Sequence, residues 1–208
     1  MSIAGDKWCR GEATEWVLHE NVVSLTGDSF TVKNGDTGAL AIKANAAIFS
    51  IKDAIQLLDA DTDEELCTIK STFMHMLPTY LIQRSGETVA TVRKDRVSIH
   101  KTIRVYEGEA SFNPITNTTK SECLLQLHGG MIMQRNTEIY KGDTDEKVGY
   151  SHEKRFDLGG LFGKDEYEVT VEAGGDIVLI LAAMIVKDEI TEKGDEAAQA
   201  AAEAAAKD

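Results

Sequence analysis

The sequence predicts a mostly β protein, an antiparallel barrel of about twelve strands closed on itself and threaded by one hydrophobic helix near the C-terminus. Three observations predict it. An unbroken apolar run, Ile177 to Val186, follows Gly174-Gly175-Asp176 and has no polar stripe at a 3.6-residue period. Upstream of it, β-favouring runs alternate with acidic or glycine-containing turns, and only two prolines interrupt them. A sheet of so many strands would carry exposed edges unless it closed, and a closed barrel has an interior that the apolar helix can fill.

Residues 1–15 are polar and unpatterned, so they read as an N-terminal extension that frays. Strand signals begin at Trp16-Val-Leu-His-Glu-Asn-Val-Val. Four hairpins follow: Phe30–Lys33 with Ala39–Lys43 across Asn34-Gly35, Ile55–Leu58 with Leu66–Lys70 across an acidic tip, Tyr80–Arg84 with Thr88–Arg93 across Ser85-Gly86, and Glu138–Tyr140 with Lys147–Ser151. Further strands are expected at Val97–Tyr106, Glu122–Leu127, Met131–Gln134 and Tyr167–Val171. The stretch Ala44–Leu58 has mixed propensity and is read as β. Asp176 suits a helix N-cap, since its carboxylate can accept the first free amides. The ten residues from Ile177 to Val186 would span about 15 Å, half of a hydrocarbon layer about 30 Å thick, so they form a core helix and no transmembrane segment. After Ile190 the composition turns acidic and Ala-rich, which permits a helix but offers no apolar face. Residues 16–190 therefore form the domain and 191–208 a solvated tail.

The run Phe156-Asp-Leu-Gly-Gly-Leu-Phe-Gly-Lys-Asp-Glu-Tyr-Glu-Val-Thr-Val171, followed by Asp176 and an apolar helix ending Lys187-Asp-Glu-Ile190, resembles the C-terminal signature of the LURP-one-related family. The resemblance covers roughly residues 16–190. It implies the tubby-like fold shared with tubby proteins and phospholipid scramblases, a twelve-stranded barrel around a central hydrophobic helix. The family is named for plant defence against pathogens, and no motif of defined activity transfers from it.

A net charge of −13 argues against nucleic acid as a partner, because such binding needs a basic footprint. Cys9, Cys67 and Cys123 are odd in number and widely spaced, which suggests neither a disulfide framework nor a zinc site. With no signal or transit pattern, a cytoplasmic location is expected, peripheral to a membrane if lipid is the ligand.

Several stretches imitate functional motifs. Asp59-Ala-Asp61-Thr-Asp63 opens like a calcium loop, but Glu64 stands where Gly is needed and Lys70 where a bidentate Glu would ligate, so an acidic hairpin tip is the reading, as it is for Asp143–Glu146. Leu127-His-Gly-Gly130 and Gly149-Tyr-Ser-His-Glu153 imitate hydrolase loops without completing them. Gly159–Gly163 lacks the spacing of a phosphate loop, and the five histidines lack metal-ligand spacing. Neither a catalytic residue nor a metal or other cofactor is expected, and the chain is read as not an enzyme.

One feature keeps functional weight. The stretch Arg93–Arg104 holds Arg93, Lys94, Arg96, Lys101 and Arg104 against one aspartate, a charge of +4 where the rest of the chain carries −17. Phosphate oxygens are good acceptors for such donors, and the tubby-like resemblance implies phosphoinositide binding through basic strand residues. Alternatively the cations pair with neighbouring acidic hairpins. Strand alternation would set Arg93 on the face opposite Lys94 and Arg96. The functional expectation is a non-enzymatic module for phosphoinositide or other anionic headgroups in a stress or defence response. The alternatives are a scramblase-like membrane-active protein and a protein-interaction scaffold without a lipid ligand.

Overall fold

A computed structural model describes residues 2–21, 29–46, 54–72, 78–95, 102–113, 115–116, 118–129, 136–155 and 165–205. Twelve strands close into one barrel: β1 (Thr14–Asn21), β2 (Ser29–Asn34), β3 (Leu40–Ala46), β4 (Ala54–Asp59), β5 (Glu65–Thr72), β6 (Thr79–Arg84), β7 (Glu87–Lys94), β8 (Thr102–Glu107), β9 (Cys123–Gly129), β10 (Asn136–Lys141), β11 (Lys147–Arg155) and β12 (Asp165–Val171). Each pairs antiparallel with its sequence neighbours, and β1 closes on β12 with Trp16 opposite Val169. The expected strand at 131–134 and the glycines 159–163 lie outside the described residues.

Strand alternation supplies the lining. Leu18, Val32, Ile42, Leu57, Ile82, Val92, Val105, Leu127 and Ile139 are all fully buried. They face α1 (Ile177–Ala205), whose residues from Ile177 to Val186 are each no more than 5% exposed. Each large apolar side chain withdrawn from water contributes about 1.5–3 kcal/mol, so helix and barrel wall stabilise one another. Asp176 caps the helix as its position suggests: its Oδ1 accepts the Leu179 amide at 3.1 Å, and its carbonyl accepts that of Ile180 at 3.0 Å.

Two turns show how local chemistry sets register. Ser85 and Gly86 both take positive φ, 51° and 84°, which gives the tight β6–β7 turn the twist that flanking strands need. Asn34-Gly35 does not form such a two-residue turn. The loop runs on to Gly38, at φ 68°, while the Asn34 side chain accepts the Thr37 amide at 2.9 Å. Gly35 is required for space instead, since a Cβ there would stand 2.7 Å from Glu15 Cβ.

Two expectations are corrected. The N-terminal extension does not fray. Ser2 Oγ and the Ile3 amide donate to Asp176 at 2.9 and 2.6 Å, Arg84 donates to the Ile3 carbonyl, and Trp8 is buried against Trp16 with ring centroids 5.9 Å apart. These residues are unpatterned because they form no strand; they clamp the barrel end where the helix begins. Nor does the helix stop at Ile190. It continues to Ala205, and its 29 residues reach about 43 Å, whereas strands of six to nine residues span at most about 30 Å. The helix is longer than the barrel that holds it.

Leu181→Asp should destroy the cooperative melt, because an unpaired carboxylate in this interior costs more than about 4 kcal/mol. An unchanged Tm by calorimetry would refute central burial. Deleting residues 195–208, which carry no apolar stripe, should shift the Tm by no more than a degree or two on the same instrument, a shift of under about 0.5 kcal/mol.

Candidate functional site

The basic stretch lies at the end of the β7–β8 pair from which the helix leaves the barrel. Val92 and Val105 are opposite one another and both face inward, so their neighbours Arg93 and Arg104, also opposite one another, both face outward. Like charges directly across a strand pair repel. Two different devices relieve this.

Over Arg93 folds the connection between β8 and β9. Gly108 N donates to the Val89 carbonyl at 3.0 Å, Thr91 Oγ1 donates to the Gly108 carbonyl at 2.6 Å, and the Ala110 amide donates to Thr91 Oγ1 at 2.9 Å. This places the Phe112 ring 4.3 Å from the Arg93 guanidinium, a cation–π contact, with Tyr106 edge-on to the same ring at 5.3 Å. Arg93 is 7% exposed as a result.

Arg104 is held by carboxylates. Its Nε donates to Asp95 at 3.2 Å and its Nη1 to Asp143 at 2.6 Å, while Gln126 also donates to that Asp143 oxygen at 2.9 Å. Burial alone would lower the proton affinity of Arg104, but the Asp143 bond and nearby negative charges raise it. Asp143 belongs to the acidic hairpin between β10 and β11.

Lys94 is opposite Ile103 and therefore on the other face from Arg93 and Arg104. It is exposed and makes no ion pair among the described residues. Arg96 and Lys101 lie outside the described residues. The structure thus brings Arg93 and Arg104 together and separates them from Lys94.

The remaining motifs have structural explanations where they are described. Ser151 sits in a regular strand, 1% exposed, with its hydroxyl 3.7 Å from Met184 Sδ. His152 Nδ1 is bonded to Asn136 at 2.6 Å, and His128 contacts Gln126 at 3.2 Å. The Cys67 thiol is pushed up to about 12 and that of Cys123 to about 11, burial being the main cause for each, so both stay protonated at neutral pH. In the β4–β5 tip, Asp59 is 5% exposed and accepts Lys7 Nζ at 2.6 Å and the Asp61 amide at 2.9 Å. One of its oxygens is occupied by the clamp segment and the other by the hairpin tip itself.

No sequence pattern marks a cleft of about 260 Å³ beside this clamp, lined by Lys7, Trp8, Arg10, Trp16, Leu40 and Asp61 among others. It combines residues from the clamp, β1, β3 and a hairpin tip, which no period or motif connects. The two tryptophans, eight positions apart, were the only available signal.

A family model described as LURP-one-related matches residues 14–188, which is the barrel and the buried part of its helix. The chain belongs to the LURP-one-related family. Among Arabidopsis thaliana relatives, it is 24% identical to Protein LURP-one-related 10 over 94% of this chain and all of that protein. It is also 24% identical to Protein LURP1, over 92% of this chain and 91% of the relative, and 26% identical to Protein LURP-one-related 1, over 90% and 82%.

The Lys7–Asp59 pair gives a pH prediction. Burial alone would raise the Asp59 carboxyl, but the Lys7 hydrogen bond, the Asp61 amide and the Lys7 charge outweigh it and hold the group below its ordinary value of 3.8. The resulting stability is complete above that value and is lost as pH falls through the depressed folded-state value. Asp59→Asn should lower the Tm by several degrees at neutral pH, and its gap from the parent should narrow as the pH falls below 3.8 and through the depressed folded-state value. A gap independent of pH would show that the ionised pair contributes no stability.

Proposed function

We propose that this LURP-one-related protein is a non-enzymatic binding module that receives an anionic headgroup of the phosphoinositide type at the β7–β8 end of its barrel. The observation that carries the reading is Lys94: an exposed cation without an ion pair among the described residues, at the strand end that leads into Arg96 and Lys101. Arg93 and Arg104 contribute differently. Their contacts with Phe112, Asp95 and Asp143 fix the strand pair beneath.

Among the described residues no helix is long and apolar enough to cross a membrane, which agrees with docking on a headgroup surface. The proposed setting is the cytoplasmic leaflet, and the family's naming for plant defence suggests a stress or defence response.

Cosedimentation with liposomes tests the reading. Phosphoinositide liposomes should pellet the protein at low salt and neutral ones should not, and binding should fall steeply as salt rises, since exposed charges are screened over about 10 Å at 0.1 M. Replacing Lys94 and Arg96 together with Gln should weaken binding on the order of thirtyfold with the Tm intact, at about 1 kcal/mol for each cation near an anionic surface. Equal binding by the double variant, or indifference of the parent to anionic liposomes at low salt, would leave the protein-interaction scaffold as the function.

A further inference from the structure

At the opposite end of the barrel, the clamp segment and the first strands enclose the cleft of about 260 Å³. Its two cations differ in what they already hold. Lys7 is 2.6 Å from Asp59 and 3.8 Å from Asp61, so its charge is committed. Arg10 is exposed, and its guanidinium lies 5.9 Å from the centre of the Trp16 ring with no ion pair among the described residues. Its backbone is fixed, because the Arg10 carbonyl accepts the Gly174 amide at 2.7 Å. Stacking over a buried ring orients the guanidinium without using its donors.

Facing this donor is apolar surface. Leu40 is 39% exposed, one of three exposed large hydrophobic residues among those described, and it stands in the cleft with Ala39 and Ala41. Trp8 and Trp16 form the floor. Asn34 and Thr37 also line the cleft and bond one another, which leaves Arg10 as the lining cation without an ion pair among the described residues; apolar surface with a few placed polar groups is how small-ligand sites fix both affinity and orientation.

We propose that this cleft binds a small apolar monocarboxylate, whose carboxylate is held by Arg10 and whose apolar body lies against Leu40 and the tryptophan floor. Asp59 and Asp61 balance Lys7 and Arg10, so net charge attracts no anion here and the Arg10 donors must do the holding; they can meet one carboxylate, whereas a phosphate dianion would bring a second charge towards two carboxylates. A carboxylate matches the two-pronged donor geometry of a single guanidinium. The volume limits the body to about one large side chain, since drug-sized sites begin near 300 Å³. The site is at the other end of the barrel from Lys94, so it stands or falls independently of headgroup binding.

The chain's two tryptophans, Trp8 and Trp16, both line the cleft, so tryptophan fluorescence reports on this site alone. N-acetyl-leucine should shift the emission saturably. N-acetyl-leucine amide, which lacks the carboxylate, should bind at least about tenfold more weakly, as should N-acetyl-leucine to the Arg10→Met variant, because a charge-assisted hydrogen bond is worth about 1.5–3 kcal/mol. Inorganic phosphate should not compete. A tripeptide ending in leucine separates the sources: tighter binding than N-acetyl-leucine identifies a peptide C-terminus, and weaker or equal binding a free carboxylate. The proposal is overturned by the absence of a saturable response, by equal binding of the amide, by equal binding to a folded Arg10→Met variant, or by competition from phosphate. The amide comparison uses the parent protein and holds even if that variant does not fold.

Discussion

Ten helical residues with no polar stripe can be kept from water only by a surface that closes around them, and a twelve-stranded barrel can avoid an empty lumen only if something apolar fills it. Each half of the structure is unstable without the other. The mutual requirement explains why the inward positions of nine strands are aliphatic and fully buried, and why the helix carries small residues, Ala182 and Ala183, where it passes through. The helix cap has a second role as well. Asp176 satisfies the Leu179 amide and at the same time receives Ser2 and Ile3, so the first residues of the chain are ordered by the start of its last element.

Antiparallel closure gives the barrel two unlike ends. At one, the helix N-terminus meets the clamp, Arg84 beside the Ser85-Gly86 turn and the Asp59 tip are bonded to that clamp, and the buried pair Trp8 with Trp16 packs beneath it. At the other, β7 ends at exposed Lys94, and the helix emerges past Asp188 and Glu189, both only 9% exposed, with Tyr167 donating to Asp188. The two proposals divide along this polarity, an anionic headgroup at the Lys94 end and a small carboxylate at the Arg10 cleft.

The Arg93–Arg104 pair shows why a charge count is not a site. Facing one another across two strands, these side chains would repel, and the fold answers with an aromatic lid over one and two carboxylates on the other. Of the two expectations for the basic stretch, pairing with acidic neighbours is realised, at Arg104. Arg104 pairs with acidic neighbours, one of them in a hairpin tip, whereas Lys94 stays exposed on the other face.

The strands, their antiparallel order, the buried helix and its Asp176 cap were legible from the sequence, because period-2 alternation, turn chemistry and an all-apolar run are local signals that burial enforces. So was the acidic character of the Asp59–Asp63 tip. Tertiary structure alone decided the rest. Residues 2–9 show no periodicity because their partners, Asp176, Asp59 and Trp16, are scattered along the chain, so only closure of the barrel turns them into a clamp. Which cations of the basic stretch are covered depended on where Phe112 and Asp143 fold back. The cleft at Arg10 was invisible for the same reason: its walls come from segments that become neighbours only when β1 to β4 curve into one end of the barrel.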